Sequence, residues 1–401
     1  MNIIKKEIKI KKLIELLILI IIFSLPFLFL KNITLKSKIE IKNIENGNLY
    51  VLPEENGEKI LLNYLDSAKK EVNINIYLLS NKNIIEKIKS LAKNNVKINI
   101  IIEKEPFGGG YLNYKTVSEL ETQKNIEIKN IINIYSLNHA KYIVIDNKIS
   151  IIMTSNLTGS GLNSSRDFIF VTKNKEITES LNNLFRSDFE IKYFWEIKSH
   201  ENLVISPINS RKILETLINN AENCLELYAE NFNDEKIINL LNKKSEENIK
   251  IKIILSEDIS SNKNITKKFN ENIEIKLIKK PYQHSKVIIV DKKIMYIGSV
   301  NFSMQSMDQN REVGIILKEK EFIEKIWNIF YKDWNNNLSI EIIFNNLISH
   351  IHSSFTSLST FFNKNYKSKF WVIIWPKTYK PSIIQKSGNL CCSCFSSKIF
   401  I

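Results

Sequence analysis

Two histidines, His139 and His284, each stand two residues before a lysine, Lys141 and Lys286, in the stretches "HAKYIVIDNKISIIMTSNLT" and "HSKVIIVDKKIMYIGSVNFS". The stretches are in constant register: Asp146 and Asp291, and Asn156 and Asn301, also lie 145 residues apart, and the same offset carries Asp167 onto Glu312. Along a strand, side chains two positions apart share a face, so each histidine projects with its lysine. Imidazole, ammonium and amide groups together suit a tetrahedral anion. Ammonium and amide donors hold its oxygens, one imidazole attacks phosphorus, and the other protonates the departing oxygen. The repetition then means that each copy supplies half of one active site, a residue set that calls for neither metal nor cofactor. Its symmetry leaves open which histidine attacks.

The remaining repeated positions receive supporting roles. Asp146 and Asp291 fall on the opposite strand face from the histidines and are read as structural acids that hold the following turn. Asn156 and Asn301 come after a hairpin that returns the chain beside the motif strand, bringing an amide toward the lysine. Asp167 and Glu312 open the next strand, where each is expected to accept from the far nitrogen of its own histidine and fix its tautomer. His200, His350 and His352 have no comparable context.

The elements that must position these residues are also duplicated. "EKILLNYLDSAKKEVNINIYLLSNKNIIEKIKSLAKNNVKINIII" from Glu58 is similar to the stretch from Arg211, now at an offset of 153. The first copy is therefore eight residues longer before its motif, an interval that contains the glycine-rich "EPFGGGYLNY", read as a loop. In each copy an amphipathic helix (58–70, 211–223) leads to an alternating strand, and a second helix (83–94, 235–246) leads to a β-branched strand. The motif strand, a hairpin partner, a further strand and a closing helix follow. The expected fold is α/β: two halves related by a pseudo-twofold axis, each a mixed β-sheet flanked by helices, spanning 51–200 and 201–340.

At these residues the sequence resembles the phospholipase D superfamily, whose signature, H-x-K-x4-D-x6-G-S-x-N, occurs in pairs. The second copy here matches every fixed position. The first has Met153 and Thr154 in place of Gly-Ser, which keeps the hydroxyl and is expected to narrow or tilt the first half-site. "NREVG", 310–314, also looks like the family's continuation of the second motif. The resemblance implies attack through a phosphohistidine, with the histidine of the first motif, His139, as nucleophile and His284 as acid.

Charge is concentrated at the ends of the chain. Of a formal +14, residues 1–12 carry +4 and the acid-free stretch from residue 342 carries +7, so the body between is nearly neutral. A strongly basic nucleic-acid groove is not indicated. After the basic segment 1–12, the run 13–30 is apolar on all sides and just long enough to cross a bilayer, and the lysine excess ahead of it places the N-terminus in the cytoplasm. It is read as an uncleaved anchor, followed by a linker (31–50) and an extracytoplasmic body. Only Cys224 lies in that body. Cys391, Cys392 and Cys394 belong to the tail, 341–401, and cannot by themselves complete a tetrahedral zinc site.

These observations together point to a membrane-anchored, metal-independent phosphodiesterase that hydrolyses phospholipids or transfers their phosphatidyl group. The expected partners are a phospholipid membrane and a phosphodiester substrate. The alternatives are an extracytoplasmic nuclease and a cardiolipin-synthase-like phosphatidyltransferase; a non-catalytic anion-binding protein ranks last because both histidines and both lysines are intact. With both half-sites in one chain, a monomer suffices.

Overall fold

The computed structural model describes residues 40–336, apart from 108–109, 132–133 and 191–198. The stretch 13–30 read as a membrane anchor, the basic segment before it, and the tail with its three cysteines lie outside the described residues. Among the described residues no helix is long and apolar enough to cross a membrane.

The first half contributes β1 (Gly47–Leu52), β2 (Glu71–Ile76), β3 (Lys97–Ile102), β4 (Ile126–Lys129), β5 (Tyr142–Ile145), β6 (Ile149–Met153) and β7 (Ser165–Thr172). The second contributes β8 (Leu203–Ser206), β9 (Cys224–Ala229), β10 (Lys250–Ser256), β11 (Ile273–Ile278), β12 (Tyr282–Gln283), β13 (Lys286–Val290), β14 (Ile294–Gly298) and β15 (Glu312–Leu317). The two sheets have the same strand order, β1-β7-β6-β5-β2-β3-β4 and β8-β15-β14-β13-β9-β10-β11. Both are mixed: the β2–β3–β4 and β9–β10–β11 pairs are parallel and the others in these two orders antiparallel. This is the duplicated α/β architecture that the sequence implies.

The helices follow their polar signals. Asn56, Asn81, Asn174 and Asp234 each accept a backbone N–H three residues on, closing the first turn of the helices Gly57–Leu65, Lys82–Lys93, Lys175–Phe189 and Glu235–Glu246. Two elements differ from expectation. Strand β1 begins inside the stretch read as linker and, like its counterpart β8, precedes the first helix of its half, pairing antiparallel with β7. The glycine-rich insertion is not loop throughout, because the glycine- and proline-free run after Gly110 forms a helix to Leu120.

One apolar core is shared by the two halves. It joins Tyr142, Val144, Phe168 and Phe170 of the first sheet to Tyr228, Val287, Ile289 and Ile315 of the second, together with the helices Lys175–Phe189 and Lys320–Asn336. Two further cores lie under the remaining helices of each half. Within the shared core two buried arginines cross between halves. Arg166 donates to Asp333 (2.6 and 2.9 Å), and Arg311 donates to Asp188 (2.9 Å). Both arginines and both aspartates are related by the same 145-residue offset as the motifs. Each pair compensates charges that would be costly to bury alone.

Candidate active site

The segment ahead of each histidine leaves its own sheet and lies against the other half. Strand β12 pairs in parallel with the start of β7, Gln283 opposite Arg166, and Asn138 forms the matching bridge to Arg311. The His139 amide donates to the Arg311 carbonyl (2.9 Å) and the Ser285 amide to that of Arg166 (3.1 Å). Each histidine thus sits immediately before its motif strand rather than within it, next to the acid that follows the arginine.

This crossing corrects the expected pairing of histidines and acids. His139 Nδ1 lies 2.8 Å from Glu312 Oε2, and His284 Nδ1 lies 2.9 Å from Asp167 Oδ1. Each carboxylate holds the histidine of the other half, because the backbone bridge brings the acid strand of one half against the histidine segment of the other. Both acids are fully buried and anchored on their remaining contacts. Thr154 donates to Asp167 (2.6 Å), while Ser306 and Asn310 (3.1 Å) donate to Glu312. With Nδ1 engaged, Nε2 of each imidazole is the nitrogen left for chemistry.

Both histidines line one open cleft of about 870 Å³, together with Asn156 and Asn301, within the size range of small-molecule sites. The amide oxygens of Asn156 and Asn301 are buried without a hydrogen-bond partner among the described residues. Lys141 and Lys286 are completely buried behind the histidines, and each ammonium donates to the carbonyl of its histidine, Lys141 at 2.7 Å. Burial pushes the His139 imidazole down from its ordinary value against the opposing pull of Glu312, with Lys141 and Lys286 adding to the fall. Burial likewise pulls the Lys141 ammonium down to about 7, partly offset by Glu312. Burial therefore favours the neutral form of the His139 imidazole.

Asp146 and Asp291 take no part in the cleft. Asp146 accepts the amides of Lys69, Lys70 and Glu71 (2.8, 2.8 and 2.9 Å), and Asp291 those of Glu222, Asn223 and Cys224 (2.9, 2.6 and 2.9 Å). They fasten the hairpin to the entry of the neighbouring strand, a wider reach than the following turn alone. Met153 does not narrow the site either. It is buried with Ile151 and Ile169 in the core of the first half. At the corresponding place in the second half Gly298 faces Gly314 under the Tyr296 ring, where a Cβ on either glycine would collide with that ring's hydroxyl. Three aliphatic side chains in one half replace one tyrosine and two glycines in the other.

Sequence reasoning missed Tyr77 and Glu230. The Tyr77 ring meets His139 edge-on at 4.6 Å, with the Lys141 ammonium 5.2 Å from its centre. Glu230 accepts from Lys286 (2.7 Å) and from Tyr282 (2.8 Å), and its carboxylate lies 3.8 Å from His284 Nε2. Both follow the second strand of their half at the 153-residue offset, and a mismatch in that alignment was the available signal.

A cleft made by two repeated halves, in which the imidazole of each is held by a carboxylate of the other, defines a phospholipase D-like protein. The chain belongs to the family described as "Cardiolipin synthase, PLD-like domain", which matches residues 61–189 and 214–334, more than half of its length. It is 36% identical over 53 residues to the mitochondrial cardiolipin hydrolase of Canis lupus familiaris, a match covering 13% of this chain and 21% of that protein. The chain thus spans about a fifth of the length of the curated relatives it matches. Among solved structures, polyphosphate kinase from Porphyromonas gingivalis superposes with a TM-score of 0.58 at 16% identity, covering 72% of this chain and 50% of that one. Phosphatidylserine synthase of Haemophilus influenzae superposes with 0.50 at 12% identity, covering 71% and 85%. These two structures share the fold.

Proposed function

We propose that the protein is a phosphodiesterase that acts through a phosphohistidine, without a metal, on phospholipids, either hydrolysing them or transferring their phosphatidyl group. The observation that carries this reading is the pair of imidazoles on one cleft, each with Nδ1 fixed by a buried carboxylate. His139, neutral and desolvated, attacks phosphorus through Nε2. The phosphorus–oxygen bond breaks, and the departing oxygen takes a proton from His284. Neutral His284 then removes a proton from water as the water oxygen attacks phosphorus and the phosphorus–nitrogen bond breaks. An alcohol in place of water gives transfer. Asn156 and Asn301 steady the phosphoryl oxygens, and the buried lysines supply positive potential behind them.

The family's description and the hydrolase relative support a lipid substrate. The apolar stretch 13–30 is read as the anchor that holds an extracytoplasmic cleft at a phospholipid surface, and one chain suffices for the site. A nuclease is the second reading, favoured by Phe107, 96% exposed at the cleft, with Tyr111 and Tyr114 exposed in the same inserted segment, where bases could stack. The near-neutral body weighs against it. The test incubates the full chain with vesicles of phosphatidylcholine or phosphatidylglycerol and with labelled single-stranded DNA, chelator present throughout. Release of phosphatidic acid or a phosphatidyl-transfer product is expected. Turnover of DNA alone would contradict the lipid reading, and activity lost to chelator and restored by zinc or magnesium would contradict the metal-free mechanism.

A further inference from the structure

The two half-sites repeat the histidine, the lysine, the asparagine and the crossed acid, yet they differ in the residue that faces each histidine from the second strand of its half. In the first sheet Asn75 pairs with Tyr142, and in the second Tyr228 pairs with Val287, an equivalent register. Two residues beyond each pairing, at equivalent positions, stand Tyr77 and Glu230. Tyr77 presents an uncharged ring to His139 and Lys141. Glu230 presents a carboxylate to Lys286 at 2.7 Å and to His284 Nε2 at 3.8 Å, and Tyr282 fixes its second oxygen at 2.8 Å.

We infer that Glu230 is the positioning residue that makes the symmetric site directional, facing Nε2 of His284 so that His284 serves as the acid while His139, faced by Tyr77, serves as the nucleophile. The inference rests on the two-step reading above. Two carboxylates thus face the His284 imidazole, Asp167 at Nδ1 and Glu230 toward Nε2. The other charged or titratable groups around His284 are Lys286 on β13 and Tyr282 on β12, with His139, Lys141 and Glu312 on the opposite half-site. Lys286 donates to Glu230. Among the described residues His139 makes its ion pair with one carboxylate, Glu312, at Nδ1. Burial raises the Glu230 carboxyl, but Lys286 and then His284 outweigh it and hold it below its usual range.

The same carboxylate explains how the proton is returned. Once His284 has protonated the leaving oxygen, the neutral ring, still facing Asp167 and Glu230, takes the proton of the water that releases the phosphoryl group. A neutral residue at position 230 would weaken both half-reactions.

The test compares two esters with the same phosphatidyl half in the same mixed micelles: phosphatidylglycerol, whose alkoxide must be protonated, and phosphatidyl-p-nitrophenol, whose phenolate need not be. Under single-turnover conditions, Glu230→Gln should slow formation of the phosphoryl-enzyme from phosphatidylglycerol about tenfold or more but from the nitrophenyl ester by less than about threefold, in line with loss of general-acid assistance. Glu230→Asp should recover part of the rate. The ratio of the two rates cancels any effect on Lys141, which serves both esters. In a His284→Ala background, adding Glu230→Gln should leave the ratio unchanged; a ratio change in the parent that vanishes without His284 is an outcome that misfolding or a purely structural role would not produce. Equal slowing of both esters by Glu230→Gln, or a change in ratio that persists without His284, would overturn the role of Glu230 while leaving the two-step reading intact. No turnover of either ester by the unmodified chain would overturn both.

Discussion

His139 and Lys141 carry the clearest ionisation signature in the cleft, and both result from burial. A histidine whose proton is disfavoured stays neutral, and thus nucleophilic, to a lower pH than the ordinary value of about 6.5. Lys141 is pulled down to about 7, so in the free enzyme its charge fades as pH rises through neutrality. With the nitrophenyl ester, which needs no acid, kcat/KM should rise along an acid limb below the ordinary histidine range and fall near 7. In kcat the alkaline fall should move upward, because a bound phosphate anion favours the Lys141 ammonium. Identical alkaline limbs in the two parameters would remove Lys141 from the anion site. The repeated histidines, lysines and asparagines were legible because identical types recur at a fixed offset. Glu230 was not, since its partner in the repeat is a tyrosine and no motif joins them.

The hairpins between β5 and β6 and between β13 and β14 show how an element can be fixed by one side chain. Asp146 and Asn147 have φ near 53° and 52°, and Asp291 and Lys292 near 52° and 53°, the left-handed geometry of a tight turn, which aspartate and asparagine tolerate at three of these four positions. From that turn each aspartate reaches three amides of the adjacent strand entry. For Asp146, burial raises the carboxyl, but the bonds from Glu71, Lys69 and Lys70 together outweigh it and hold it below the usual range. A depressed folded value means stability present above the ordinary aspartate range and lost as pH falls from there through the lower folded value. Asp146→Ala should cost about 1–3 kcal/mol in denaturant unfolding at neutral pH, with kcat of the folded fraction within about twofold of the parent, as expected for a residue outside the chemistry. A stable Asp146→Ala protein without turnover would contradict the structural assignment. Alternation also misleads here: Asn73 and Asn99 alternate with isoleucines as on a solvent-facing strand, yet both are buried. A chain of amides from Asn99 to Asn73 to Asn182 (2.7 and 2.8 Å) links them beneath a helix.

At the scale of the molecule, duplication and two halves were readable from the offsets, but the way the halves interlock was not. A repeat states that Asp167 and Glu312 are equivalent without stating which histidine each one meets. The answer depends on the bridges of Asn138 to Arg311 and of β12 to β7, and on the crossed ion pairs Arg166–Asp333 and Arg311–Asp188 beneath them. Two buried arginines and four acids therefore bind the halves into one site, and neither histidine is oriented by its own half alone. The central claim is that this interlocked pair forms one directional site. It is tested most directly by quenching the full chain during turnover of phosphatidyl-p-nitrophenol labelled in its phosphoryl group and mapping the acid-labile label. The account predicts at most one phosphoryl group per chain, carried on His139, absent from His139→Ala and still formed by His284→Ala. Label on His284, two groups per chain, or no covalent intermediate from this ester would contradict it.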